Sequence, residues 1–183
     1  MANEILLKNA TPIVWADTTD YNPAGGVVYT RTAQIDLTGV ATAEAREGAK
    51  ADLGATRATS YRVRLCPELD VAPASGVTIE VYFGFSNSGT AALDNPGLLT
   101  GADADWTGTT ADTVADSVKQ LVGPFVYVCT SDLAAISLPM DIGILNPTQR
   151  YIVPVVVNNS AQALEGDAIE MYLALIPIIT EVQ

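Results

Sequence analysis

Two acidic side chains and a tryptophan are the residues of this chain with the most obvious potential for chemistry. Asp103 and Asp105 are separated by one residue in GADADWTG, and Trp106 follows directly. Two carboxylates about 5–10 Å apart, beside an aromatic ring that stacks on sugar, are typical of a glycosidase. With Asp94, the same carboxylates could instead offer oxygen ligands to Ca²⁺, although their spacing is not that of an EF-hand. The interpretation that we favour is an acidic loop in solvent whose tryptophan packs on the core.

Other catalytic groups are missing from the sequence. The chain has no histidine, which excludes Ser-His-Asp and Cys-His catalysis and the commonest zinc ligand. It has no glycine-rich phosphate-binding motif. Cys66 and Cys129 both lie in apolar runs, so we expect buried free thiols rather than a disulfide or a zinc site. We therefore predict a protein that is not an enzyme, without catalytic residues, cofactor-binding residues or metal ligands.

The charge of the chain restricts its partners. Its 183 residues include 21 acidic and 9 basic residues, for a net charge of −12. This excess argues against binding to nucleic acid through phosphates and against docking on an anionic membrane. We find neither a secretory signal nor an apolar run of ~18–20 residues that would span a membrane, so we expect synthesis and folding in a cytoplasm. Charged residues make up only 16% of the chain, which predicts that part of its surface is buried against partners.

Two long apolar runs near the end of the chain are predicted to organise the fold. Tyr151–Val157 and Ile169–Ile179 are rich in β-branched residues, which favour strands, and we predict that they pair antiparallel at the centre of a sheet. In the second run, alternate residues such as Leu173 point to the core. The other face, with Tyr172 and Ile176, is also apolar towards its end, so we expect something to cover it.

The remaining pattern predicts an all-β protein. Alternating or apolar stretches indicate further strands at Tyr61–Cys66, Val77–Phe85, Phe125–Cys129 and Ala135–Leu138. The clearest alternation is that of Val77–Phe85. Ala41–Leu53 is predicted as a loop leading into a short strand at Ala49–Leu53, Ser86–Thr113 as a long irregular loop, and Val114–Val122 as either a weak helix or the start of a strand. We predict an antiparallel β-sandwich of jelly-roll type.

The predicted domain organisation is simple. Residues 1–26 form an N-terminal arm and loop, and residues 27–183 form a single β-sandwich domain. The arm carries apolar groups at Ile5–Leu7 and Ile13–Trp15, which we expect to pack on a neighbouring subunit or on the chain's own domain.

Three segments resemble a known class of proteins. YFGFSNSGTAALDNPGLLTGADADWTG, then VKQLVGPFVYV, then QRYIVPVVVNNSAQAL are similar to segments of the head decoration, or cement, proteins of tailed bacteriophages. The resemblance extends over roughly Gln34 to Pro177. It implies a jelly-roll-like sandwich without catalysis, often a homotrimer, that binds and stabilises a capsid or another virion surface.

These inferences lead to a set of expected contacts. The partners would be the major capsid protein or other virion proteins, and further copies of the chain, with a trimer favoured; the location would be the virion surface, after assembly in the host cytoplasm. We predict interface residues in the arm, the acidic loop and the two long runs: Ile5, Leu6, Trp15, Asp103, Asp105, Trp106, Arg150, Tyr151, Tyr172 and Ile176. The alternative is a carbohydrate- or receptor-binding module that uses Trp106 with Asp103, Asp105 and Asn95.

Overall fold

The computed structural model describes residues 5–22, 29–108, 113–134, 136–167 and 169–182, and for 5–9 and 180–182 it describes the backbone alone. In these ranges the chain forms twelve strands: β1 (Ile5–Asn9), β2 (Ile13–Ala16), β3 (Ala33–Gln34), β4 (Ala45–Glu47), β5 (Ala51–Asp52), β6 (Ser60–Cys66), β7 (Thr78–Ser86), β8 (Ala104–Asp105), β9 (Val122–Val128), β10 (Met140–Leu145), β11 (Tyr151–Asn159) and β12 (Tyr172–Val182). The one α-helix in the same ranges, α1 (Val114–Ser117), has a single turn, and 3-10 turns occur at Pro96–Leu98, Val118–Gln120 and Ser131–Ala134.

The described strands form two six-stranded sheets that pack face to face. The first sheet has the order β10-β6-β12-β2-β3, with β1 also paired to β12; the second has the order β8-β4-β11-β7-β9, with β5 also paired to β11. The strand pairs are antiparallel apart from β2 and β3, which run parallel. The predicted all-β sandwich is confirmed, while its jelly-roll type stays a prediction.

Strand alternation builds the core between the sheets. In β7, Ile79, Val81 and Phe83 are fully buried and face the first sheet, as their spacing of two residues predicts. From the first sheet, Leu173 and Leu175 of β12 enter the same cluster. Cys66 and Cys129 are buried free thiols, as predicted, and burial raises the pKa of Cys66 to about 12.

The predicted pairing of the two long apolar runs is wrong. The strand β11 lies in the second sheet between β7 on one side and β4 and β5 on the other, whereas β12 lies in the first sheet beside β6 and β2. Both strands are apolar on both faces, so their composition does not reveal which sheet each belongs to. The connection between them crosses from one sheet to the other.

The chain itself covers the second face of β12. Tyr172, Ala174 and Ile176 are buried, and Tyr21 and Tyr29 pack on this side of the sheet. The ring of Tyr172 lies 6.2 Å from that of Tyr21 and 5.5 Å from that of Tyr29, both in edge-to-face geometry. The expected cover therefore exists, and it belongs to the same chain.

A proline in β11 explains why the neighbouring strand is broken. Pro154 has no N–H to donate, and the chain beside it leaves the sheet between β4 and β5. At the break, a Cβ on Gly48 would lie 2.9 Å from Cγ of Pro154 and 3.0 Å from Cδ1 of Trp15. The close approach requires a residue without a side chain. Only Ala51–Asp52 of the predicted strand Ala49–Leu53 is strand, and the stretch before it, which we predicted as a loop, contains β4.

Two further predictions differ from the structure. Residues 136–138 are irregular rather than strand and follow a 3-10 turn; residue 135 lies outside the described residues. The segment predicted as an arm contains β1 and β2, and β2 is a buried strand of the first sheet.

Candidate functional site

The long loop predicted from its composition folds as a second layer on the outer face of the second sheet. We call residues 87–108 and 113–121 the cover segment. Its apolar side chains, Leu99, Trp106 and Val118, pack on Tyr82 and Val155 of the sheet. A Cβ on Gly84 in β7 would lie 2.5 Å from Cδ1 of Leu99, so a glycine in the strand lets the cover segment approach the sheet closely.

A lysine ammonium organises the first turn of the cover segment. Nζ of Lys50 lies within hydrogen-bond distance of four oxygens, Ser86 Oγ at 3.0 Å and the carbonyl oxygens of Ser88 at 3.0 Å, Thr90 at 2.8 Å and Leu93 at 2.8 Å. Its three N–H groups are shared among these acceptors. Burial lowers the pKa of Lys50, and the nearby charge of Asp94 partly offsets that effect. The ammonium is therefore a structural tie between the break at Gly48 and the loop.

A buried carboxylate holds the middle of the cover segment. Glu47 has no solvent exposure. Its two oxygens accept hydrogen bonds from the backbone N–H of Thr100 at 3.1 and 3.0 Å, and one of them also accepts from the Thr100 hydroxyl. Burial raises the pKa of Glu47, although the bonds from Thr100 lower it.

The two aspartates predicted as a candidate active site share one guanidinium. Nε of Arg46 donates to Asp103 and Nη1 to Asp105, both at 2.7 Å. Asp103 also accepts from the backbone N–H of Asp36 at 3.1 Å and from the side-chain amide of Gln34 at 3.3 Å. The hydrogen bond to Asp103, above all, raises the pKa of Arg46 despite its partial burial.

This arrangement suits structure better than hydrolysis. A glycosidase uses two carboxyl groups that both face the sugar, whereas Arg46 binds an oxygen of each aspartate and Asp103 also accepts from the backbone N–H of Asp36. Trp106 does not offer a face for stacking, since it is 4% exposed and its indole N–H donates to the carbonyl oxygen of Gly97 at 3.2 Å.

The calcium site considered from the sequence is not assembled. Asp94 accepts a hydrogen bond from the backbone N–H of Asn87 at 2.7 Å. Across the described parts of the chain, no three His, Cys, Asp or Glu side chains are placed to hold a metal ion together.

A groove lies where the cover segment meets the second sheet. It has a volume of about 460 Å³, within the range of small-ligand sites. Both polar and apolar side chains line it: Thr38, Glu44, Arg46, Asp105, Trp106 and Thr107. A second hollow of about 300 Å³ adjoins it and shares Ala43 and Val114 with it.

Four of the ten predicted interface residues are buried within the chain. Trp15, Trp106, Tyr172 and Ile176 are 0–7% exposed, so other residues of the chain cover them, and their contact with a partner stays a prediction. Trp15 instead donates its indole N–H to the carbonyl oxygen of Ala49 at 2.7 Å, which fixes the break beside Pro154.

The other predicted interface residues have mixed outcomes. The side chains of Ile5 and Leu6 lie outside the described part of the chain. Arg150 forms an ion pair with Asp52 at 2.7 Å, and its guanidinium lies 5.1 Å from the ring centroid of Tyr151.

Their exposures decide which of them a partner could contact. The side chain of Asp105 is 83% exposed, whereas that of Asp103 is 13% exposed. Arg150 is 44% exposed, and Tyr151 is partly buried. Among the described members of the predicted set, Asp105 and Arg150 are thus the most accessible.

Sequence patterns did not reveal the basic and acidic residues that hold the cover segment. Arg46 and Glu47 lie in the alanine-rich stretch that we predicted as a loop, and Lys50 lies in the short strand that we predicted at Ala49–Leu53. Their partners are more than 30 residues away in sequence, and nothing in their spacing reveals them. The available signal was the alternation of charged residues with alanine in Glu44-Ala45-Arg46 and Lys50-Ala51-Asp52. This pattern does not include Glu47.

Sequence patterns also did not lead us to the exposed apolar side chains of β9 and β10. Val122, Val126 and Val128 of β9 and Met140 and Ile144 of β10 are 37–51% exposed. The alternation of Val126 and Val128 about Tyr127 could have indicated those two, because Tyr127 points into the core.

Comparisons with known proteins add no relative. No protein-family model, no curated protein sequence and no solved structure matches this chain. Within the described residues, the helical segments are all too short to cross a membrane.

Proposed function

We propose that this chain is a non-enzymatic structural protein of a phage virion, which binds the major capsid protein and stabilises the head shell. The non-enzymatic part rests on one observation: the acidic groups predicted as reactive are tied into structure by Arg46 and the backbone. The virion part rests on the resemblance of the loop and strand segments to decoration proteins.

The form of the surface supports this proposal. The cover segment is held at Lys50, Glu47 and Arg46, so this loop presents a defined surface to a partner. Its most exposed charged group at this site, Asp105, would face a partner. A net charge of −12 disfavours adhesion to DNA released near a virion.

Virions assembled with and without this chain test the proposal. We expect added density on the capsid surface in electron micrographs only when the chain is present, and earlier genome release on heating when it is absent. Purified chain added back should restore both the density and the heat resistance. Virions that show neither difference would contradict the proposal.

A second candidate function is binding of a carbohydrate, and the groove favours it. The groove combines threonine hydroxyls, a guanidinium and carboxylates with the apolar side chains of Val40 and Val114, a mixture that suits a hydroxyl-rich ligand. Trp106 contributes a buried wall rather than a stacking face, and Asn95 is bound internally to the carbonyl oxygens of Ala91 and Leu99.

A glycan array followed by calorimetry tests the second candidate. For any glycan that binds, Asp105→Asn should weaken binding about tenfold, which is about 1.4 kcal/mol. Asp52→Asn is the matched control, because Asp52 is also an exposed partner of an arginine but lies outside the groove. No binding on the array, or equal loss in both variants, removes this candidate.

A further inference from the structure

A leucine in the cover segment is held out in solvent. Leu98 is 60% exposed, the highest value among the described large apolar side chains. Both of its neighbours are packed on the second sheet, since Gly97 is buried and Leu99 is 4% exposed. A single exposed leucine is ordinary on a protein surface, so its exposure alone does not indicate a function, and the backbone has to be considered with it.

The backbone of Leu98 has a conformation that leucine rarely adopts. Its φ is 56°, directly after Gly97 with a φ of 62°. A positive φ is unfavourable for a bulky residue, because the side chain then crowds the main chain. Leu98 is the one large apolar residue among the described non-glycine residues with positive φ, which are Ala43, Asp94, Leu98 and Ala161.

Contacts on both sides of Leu98 fix this conformation. The indole N–H of Trp106 donates to the carbonyl oxygen of Gly97 at 3.2 Å, and the side-chain amide of Asn95 donates to that of Leu99 at 2.9 Å. The backbone N–H of Leu99 also donates to the carbonyl oxygen of Pro96 at 3.2 Å. The surrounding structure therefore maintains an unfavourable backbone that points an apolar side chain into solvent, and residues strained in this way cluster at functional sites.

The charges of the cover segment indicate the chemistry of a partner that would contact Leu98. The segment contains four aspartates and one lysine, and Lys119 is bound to Asp116 at 2.7 Å. Arg46 and Lys50, which contact the segment from the rest of the chain, are bound to its oxygens. A surface with an excess of carboxylates around an apolar side chain is complementary to a basic surface that contains an apolar pocket.

We propose that Leu98 is the apolar anchor through which the cover segment binds the major capsid protein, and that it enters an apolar pocket lined by basic side chains on that protein. This inference rests on the proposed function, because it names the contact made with the same partner. One well-packed apolar side chain at the centre of an interface can contribute much of the binding free energy. Since the backbone of Leu98 is already fixed, little conformational entropy is lost on binding.

Purified chain added to virions that lack it tests the anchor. Leu98→Gly removes the apolar side chain and introduces the residue that adopts positive φ most readily. We expect this variant to bind virions about tenfold more weakly than the wild type, with an unfolding temperature close to that of the wild type.

Val71→Gly is the matched control. Val71 is 56% exposed, lies outside the cover segment and does not have a positive φ. We expect this variant to bind virions as the wild type does, and to unfold at a slightly lower temperature, because glycine raises the entropy of the unfolded chain without relieving strain.

Two further measurements test the chemistry of the partner. Binding of the wild type to virions should weaken as sodium chloride is raised from about 0.05 M to about 0.5 M, because salt screens the attraction between opposite charges. A photoactivatable leucine in place of Leu98 should cross-link to the major capsid protein, whereas the same group in place of Val71 should not. Binding that strengthens with salt, or equal cross-linking from both positions, would overturn the proposal.

The binding experiment separates this inference from the proposed function. If the wild type binds virions and Leu98→Gly binds equally well, the anchor is overturned and the proposed function stands. If the wild type does not bind virions, both are overturned. An unfolding temperature that falls further in Leu98→Gly than in Val71→Gly would show that Leu98 serves the fold, which also overturns the proposal.

Discussion

At the scale of single residues, Glu47 is a carboxyl group whose ionised form its surroundings disfavour. Burial raises its pKa above the ordinary value of 4.5, and the hydrogen bonds from Thr100 offset this only in part. The folded chain therefore binds more protons than the unfolded chain between the two pKa values, so the free energy of unfolding falls as the pH rises through this window. Each unit of pKa difference contributes about 1.4 kcal/mol.

The variant Glu47→Gln removes this titration. We expect its free energy of unfolding, relative to the wild type, to be higher at pH 7.5 than at pH 4, as measured by urea unfolding. Asp141→Asn should show the opposite trend: burial raises the pKa of Asp141, but Arg64 and Arg62 outweigh that effect and lower it, so its stabilisation is lost as the pH falls. A difference for Glu47→Gln that does not change with pH would contradict the assignment.

The ammonium group of Lys50 has a structural role, because it binds oxygens of the chain's own loop. Lys50→Met keeps the apolar stem but leaves the carbonyl oxygens of Ser88, Thr90 and Leu93 without their common donor. We expect a loss of about 2–3 kcal/mol in unfolding free energy, together with faster amide hydrogen exchange in residues 86–95. Lys119→Met is the control, since its lysine is 74% exposed and should cost less than about 1 kcal/mol. Equal losses in the two variants would be inconsistent with a specific role for Lys50.

At the scale of elements, the sequence predicted where strands lie better than it predicted which strands pair with each other. The alternation of Ile79, Val81 and Phe83 predicts β7 because only one face of it enters the core. No such asymmetry separates β11 from β12, so their pairing could not be inferred. Likewise, Asp103 was recognised as a candidate site residue, but its partner Arg46 lies 57 positions earlier, and only the folded sheet brings them together.

The break between β4 and β5 yields a prediction about a glycine. Gly48→Ala would place a methyl group against Pro154 and Trp15, and we expect a loss of about 1–3 kcal/mol from this overpacking. Gly166→Ala is the matched control, because a Cβ there meets no atom within 4 Å; the lower chain entropy of alanine should make it neutral or slightly stabilising. Thermal unfolding measures the stability of both variants. A Gly48→Ala chain as stable as Gly166→Ala would refute the packing argument.

At the scale of the whole molecule, uneven charge is the dominant property. Acidic groups gather at the end of the sandwich where Leu69 bridges Leu164. The pKa of Glu68 is raised mainly by burial, and further by the charges of Glu170, Glu165 and Asp167. Because the pKa of Glu68 is raised in the folded chain, its ionisation at neutral pH destabilises the fold.

Salt should reveal this repulsion, because at about 0.1 M ionic strength charges more than roughly 10 Å apart no longer interact strongly. We expect the unfolding temperature of the wild type to rise with sodium chloride, since the net charge of −12 makes repulsion outweigh the ion pairs. Glu68→Gln should raise the unfolding temperature at low salt by about 1 °C, the equivalent of a few tenths of a kcal/mol, and should reduce the increase that salt produces. Asp52→Asn, which removes an attractive pair with Arg150, should lower it instead. An unfolding temperature that falls with salt in the wild type would mean that the ion pairs of Arg46, Arg64 and Arg150 outweigh the repulsion, because salt would then weaken more attraction than repulsion.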